Sequence, residues 1–249
     1  MKALGATALT IALLAGASTQ AHTVITVENG QRCITSDGVP DHDYGPFRAT
    51  ASLEPQSHAF CVDATPELTG AITERVHVSG ITLTGIPMRP GTAEYYDPTS
   101  ERGYSRDRSS GWNVEGIGGL RMDPQNAHVD GSGMYHYHAV PSAVVAEMDG
   151  TLLGYAADGF EIHYAGDAAQ SSWQLKTGER PSGPGGTYDG TYEQDYEYIA
   201  GSGDLDQCNG TTVNGQYVYF ATDSYPFFPR CFKGTVSDDF IGRGQPPRG

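Results

Sequence analysis

Apolar and polar positions alternate in short runs along most of this chain, and the runs break at glycine, aspartate and asparagine. Thr23–Val27, Arg75–Val78, Ile81–Leu83 and Tyr217–Phe220 each read as a strand, since a period of two sends successive side chains to opposite faces of a sheet. No stretch sustains the 3.6-residue apolar period of a long helix, and only Ala143–Met148 predicts a helical turn or two. Three segments read as loops. Asp97–Ser110 is charged and shows no period, Pro181–Gly190 is a Gly/Pro turn cluster, and Arg243–Gly249 reads as a disordered tail. None is long enough to link two domains. The pattern therefore predicts one mainly β domain, a sandwich or barrel-like fold, over residues 22–249.

A weak internal repeat runs through these strands. Gly85-Ile-Pro-Met88 resembles Gly159-Phe-Glu-Ile162, and Gly133-Met-Tyr-His-Tyr137 resembles Gly215-Gln-Tyr-Val-Tyr219. A degenerate duplication of one β unit accounts for both matches. The copies differ in chemistry, because His136 and His138 of the first stand where the second has Val218 and Phe220.

The first residues add a compartment. Lys2, an apolar run from Ala3 to Ala15 and then small residues are the parts of a secretory signal peptide over 1–21, cut after Ala21 or after Ala17. The run is shorter than the roughly 20 residues of a membrane-spanning helix, so the processed chain is expected to be secreted or periplasmic and free of the membrane. A net charge of −15 without a basic stripe argues against nucleic acid and anionic membranes as partners. Four cysteines in an exported chain imply two disulfides. Three connectivities exist, and Cys33–Cys61 with Cys208–Cys231 is favoured because each closes a local, hairpin-like loop.

The sharpest chemical feature is the segment Asn126–Pro141. Asp130-Gly-Ser-Gly133 is a tight turn between two alternating runs, hence a β-hairpin. His136 and His138 then share one face, Tyr135 and Tyr137 the other, and a three-residue loop sets His128 opposite His136. Three imidazoles converging from neighbouring strands suit Zn or Cu with a fourth position open. The same pattern also serves a hydrogen-bonded polar layer, and a one-residue slip would turn His128 away. Candidate further ligands are His42 in Asp41-His-Asp43, Asp158 in an Asp-Gly turn, and His163. His22, the first residue after a cut at Ala21, is a separate candidate for copper chelation through its amine and ring. Asn209-Gly-Thr211 fits a glycosylation acceptor.

Gly-Met-Tyr135-His-Tyr137-His138, preceded by Asn126-Ala-His128, resembles the defining motif of the YHYH-domain proteins. Val39-Pro-Asp-His42, Pro90–Glu94, Leu153–Phe160, Asp204–Gly210 and Tyr225–Cys231 extend that resemblance, in order, over most of the chain. It implies an exported protein of a mainly bacterial family with no assigned activity. One departure follows Asp-Gly-Phe160, where the family has Pro and then Ile-Tyr and this chain has Glu161-Ile-His163.

No Gly-x-Ser-x-Gly elbow, His-Glu-x-x-His or phosphate-binding loop occurs, which removes common hydrolase, zinc-protease and nucleotide-binding classes. Two functions remain for a histidine centre: a non-catalytic metal-binding or interaction module, and a metal-dependent extracytoplasmic enzyme. A structural or interaction domain without metal is the third.

Overall fold

A computed structural model describes residues 22–47 and 51–242. The anticipated signal peptide and the tail from 243 lie outside the described residues. The strands run in chain order as β1 (Thr23–Glu28), β2 (Gln31–Ser36), β3 (His58–Asp63), β4 (Thr73–Glu74), β5 (Gly80–Thr82) and β6 (Pro87–Met88). Then come β7 (Tyr95–Tyr96), β8 (Tyr104–Ser105), β9 (Ala127–Val129), β10 (Tyr135–Tyr137), β11 (Leu152–Ala156) and β12 (Glu161–Tyr164). The last are β13 (Trp173–Leu175), β14 (Tyr196–Tyr198), β15 (Gly210–Val213), β16 (Gln216–Ala221) and β17 (Cys231–Phe232). Two short α-helices, α1 (Gly116–Gly119) and α2 (Ser142–Glu147), interrupt them, the second where apolar spacing predicts it.

Eight strands form one open sheet in the order β15-β16-β12-β11-β5-β6-β10-β9, with β15 and β9 as its edges. Of the two anticipated architectures the open sheet fits the sandwich. Its core lies against a second, three-stranded sheet, β1-β2-β3. Ile34, Phe60 and Val62 of that layer share one buried cluster with Ile81, Met88, Tyr137 and Ile162 of the large sheet. The disulfides are Cys33–Cys61, a directly facing pair across β2 and β3, and Cys208–Cys231.

The repeat visible in the sequence is a repeat of topology. β5 and β6 form a hairpin, and β6 pairs in parallel with β10 through Met88 and Tyr137. β11 and β12 do the same, with Ile162 and Tyr219 as the matching pair on β12 and β16. β9 flanks β10 as β15 flanks β16, both antiparallel. The halves meet along β5 and β11, where Ile81 and Tyr155 face each other at the centre of the pairing. Even the side-chain braces recur. Tyr135 donates to Asp123 Oδ2, and Tyr217 donates to Asp206 Oδ2. The other oxygen of each aspartate accepts two backbone N–H groups, from Gln125 and Ala127 in one copy and Cys208 and Gly210 in the other. Asn126 and Asn209 both hold the left-handed turn, at φ 56° and 63°, a conformation asparagine tolerates better than most residues.

Two expectations need correction. Arg75–Val78 is not a strand: the ladder is formed one step earlier, at β4, where Glu74 faces Cys231 of β17, and Val76 and Val78 contribute burial without pairing. Asp97–Ser110 is not loop throughout: Tyr104–Ser105 within it forms β8 and pairs with Tyr95–Tyr96. Pro181–Gly190 is a turn region as expected, bridged by Glu179 and Thr187.

Candidate metal centre

The β9–β10 hairpin sets the site. Asp130 fixes its turn, with Oδ1 accepting from the backbone N–H groups of Ser132 and Met134 and from the Ser132 hydroxyl. Its Oδ2 pairs with Arg89 at 2.7 Å. With the turn held, Tyr135 faces Val129 and His136 faces His128, the register anticipated from the loop length. Tyr135 and Tyr137 join the main core, so alternation sends His136 and His138 to the opposite face.

On that face the three Nε2 atoms form a nearly equilateral triangle. His128 to His136 is 3.1 Å, His136 to His138 is 3.1 Å, and His138 to His128 is 3.2 Å. The other ring nitrogens set the tautomers. A carbonyl oxygen only accepts, so His136 Nδ1, 3.1 Å from the Met134 carbonyl, carries the proton and donates it. His138 Nδ1 does the same toward the Pro90 carbonyl at 3.3 Å. Both Nε2 lone pairs are therefore turned into the triangle. His136 and His138 are 2 % and 1 % exposed, and burial holds both well below the ordinary histidine range, helped by Arg89 and the neighbouring imidazoles. Two uncharged lone pairs at this separation repel each other, and a cation between them removes that conflict. Separations of 3.1–3.2 Å between the nitrogens fit three imidazoles that would hold one ion at the usual metal–imidazole length of ~2.0–2.1 Å.

The frame around the triad is tight. A Cβ on Gly116, the first residue of α1, would stand 2.1 Å from His138 Nδ1, so the helix approaches the ring only because no side chain intervenes. The Pro90 carbonyl also accepts from Arg230 Nη2, which pairs with the fully buried Glu115, while Nη1 of the same arginine pairs with Glu193. Burial pushes Glu115 up to about 7 against the pull of Arg230. The histidines line a cleft of about 1300 Å³ walled by the segment from Glu74 to Ser79, the segment from Arg89 to Glu94, the β7–β8 hairpin and the loop after α1.

Among the described residues the triad is the one cluster of three or more metal-ligating side chains. The other candidates lie elsewhere. His42 Nε2 meets the Tyr137 hydroxyl at 2.6 Å, on the tyrosine face of the hairpin. Asp158 accepts from Tyr219 and from the Gly234 N–H, in the second half of the sheet. His163 contacts Thr151 and Glu161 there, beside Phe220. His22 bonds Asp37 on the first sheet, and the cut that would free its amine lies outside the described residues. Asn209 is buried and its amide donates to the Phe220 carbonyl and the Thr222 hydroxyl, so it is not open to a sugar. The sequence reading missed Arg89, Pro90, Gly116 and Arg230, which position the triad. Their only signal was the place of Pro90 and Arg230 within two of the motifs that carry the family resemblance.

The second half of the sheet shows what the first has gained. By register, Thr211, Val218 and Phe220 occupy the places of His128, His136 and His138 on an otherwise matching frame. Comparison with curated proteins and with solved structures gives no match. A family model does match: that of the YHYH protein, over residues 59–234, which includes both halves of the sheet and the whole triad. The hairpin that carries Tyr135-His-Tyr-His138 is thus part of a frame shared across most of the chain, which belongs to the YHYH protein family.

Proposed function

We propose that this is an exported metal-binding protein whose His128, His136 and His138 hold a zinc or copper ion through Nε2. The triangle of Nε2 atoms carries the reading, because two of its corners are lone pairs fixed by Nδ1–H donation to carbonyls. A polar layer without metal accounts less well for it, since such a layer would pair each lone pair with a donor. The two disulfides and the absence of any membrane-spanning helix among the described residues support export. N-terminal sequencing of the secreted or periplasmic protein should begin near His22, and intact Met1 in a membrane fraction would overturn that part.

Three protein ligands leave a coordination position for water or substrate, and here the triad borders a cleft of about 1300 Å³. That favours a metal-dependent enzyme, in which the ion activates water or polarises a bound group, over a closed structural site. The test is calorimetric titration of zinc and copper(II) into the wild type, His136→Ala and His163→Ala at two pH values. His136→Ala should lose binding by at least tenfold and His163→Ala should keep it, with weaker wild-type binding at the lower pH as protons compete. Equal behaviour of the two variants would leave the polar layer as the better account.

A further inference from the structure

The cleft above the triad is unusual for this chain in its charge. The protein carries a net charge of −15, yet six arginines and no lysine line this one cavity: Arg75, Arg89, Arg102, Arg106, Arg108 and Arg121. Two of them are neutralised locally. Arg89 pairs with Asp130, and Arg75 pairs with Glu193. The other four are exposed, and among the described residues none has a carboxylate within ion-pair distance, although seven arginine or lysine ion pairs are formed there, the two just named included. Arg102 and Arg108 lean on the rings of Tyr104 and Tyr95.

The β8 strand sorts the charges. Arg102, Tyr104, Arg106 and Arg108 line the cleft, whereas Glu101, Gly103, Ser105 and Asp107 between them do not. Only Tyr104–Ser105 of this segment is strand, but the same alternation runs on through the extended chain on either side, leaving the cations on the cleft and the acids off it. Summed along the chain, the segment is nearly neutral, so its composition conceals a one-sided cationic wall. The cavity also holds six carboxylates, Glu54, Glu74, Glu94, Asp123, Asp130 and Glu193, so its formal charge is balanced. The asymmetry is one of pairing, since none of them lies within ion-pair distance of Arg102, Arg106, Arg108 or Arg121. Asp123 is saturated by Tyr135 and three backbone donors, Glu94 accepts from the Ala93 N–H, and Glu54 from Ser52. Glu74 lines it as well, on the strand facing Cys231 rather than on the β8 wall.

We infer that this cleft takes an anionic ligand bearing phosphate, sulfate or carboxylate groups, gripped by Arg102, Arg106, Arg108 and Arg121 at its mouth. The choice of arginine over lysine suits planar, two-point recognition of such oxyanions. The inference rests on the metal-centre reading only in placing the ligand's inner end at the triad. The arginine wall itself stands whether or not an ion is held.

The experiment uses the full processed chain, prepared metal-free and zinc-loaded, with sulfate, inorganic phosphate and tripolyphosphate as probes in low-salt calorimetry. Metal-free protein should bind tripolyphosphate at least tenfold more tightly than phosphate, with affinity falling as salt rises. The double variant Arg106→Ser/Arg108→Ser should lose at least tenfold. Glu101→Gln/Asp107→Asn, at positions of the same segment that do not line the cleft, should not weaken binding. All four substituted surface positions are exposed, so circular dichroism should show each variant folded. No measurable tripolyphosphate binding by the wild type, or equal affinity in the arginine variant, overturns the inference. Intact anion binding with no zinc or copper uptake would overturn the metal reading instead and leave this one standing.

Discussion

Burial holds His136 and His138 uncharged, and the sign of the consequence for stability follows from linkage. A depressed folded value means that the unfolded chain binds protons which the folded chain refuses. Stability is therefore complete above the unfolded histidine value of ~6.5 and is lost as pH falls below it, by about 1.4 kcal/mol per pH unit for each such ring. Urea unfolding of metal-free protein at pH 7.5 and 5.5 should show a loss of roughly 2–3 kcal/mol for the pair, and His138→Gln should lose about 1 kcal/mol less over the same step. An identical pH response in the variant would mean that His138 titrates freely. At this scale the triad was legible in the sequence, because Asp130-Gly-Ser-Gly133 limits the loop and the loop sets which side chains face each other. The assignment of His42 was not, since its meeting with Tyr137 joins positions 95 apart in sequence.

Among elements, the β17 region holds the triad's frame through one arginine. Arg230 ties Glu115 before α1, Glu193 and the Pro90 carbonyl that receives His138 Nδ1. Truncating one member of a buried pair strands its partner's charge, which costs about 3–5 kcal/mol. Arg230→Met should lower stability by that amount in denaturant unfolding, and adding Glu115→Gln should recover part of it by removing the stranded carboxylate. A Glu115→Gln background with no recovery would show that the arginine acts through packing. Strand identity was legible wherever alternation was strong, as in β1 and β16. The segment around β8 was not, because its alternation is of charge sign rather than of polarity, and charge sign does not enter an apolar period.

For the whole molecule, one disulfide reinforces a ladder already formed and the other joins the turn before β15 to a strand of a different sheet. Cys33–Cys61 staples the small sheet, and Cys208–Cys231 fastens the second half of the large sheet to β17. Their loops span 28 and 23 residues, for which chain-entropy arguments give about 3 kcal/mol each. Cys208→Ser/Cys231→Ser should lower unfolding stability by roughly 2–4 kcal/mol, and non-reducing peptide mapping of the wild type should recover these two pairs alone. The sequence by itself determined the β class, the repeat, the favoured cysteine pairing and the facing of His128 and His136. Each of these is written in local periodicity, in turn length or in loop closure. Only tertiary structure decided that the repeat is a two-fold arrangement meeting at β5 and β11. It alone decided that Gly116 and the Pro90 carbonyl close around His138, and that arginines from a distant hairpin face the same cleft. Those outcomes depend on which elements come to lie against one another, and contacts between residues far apart in the chain leave no period in the sequence to read.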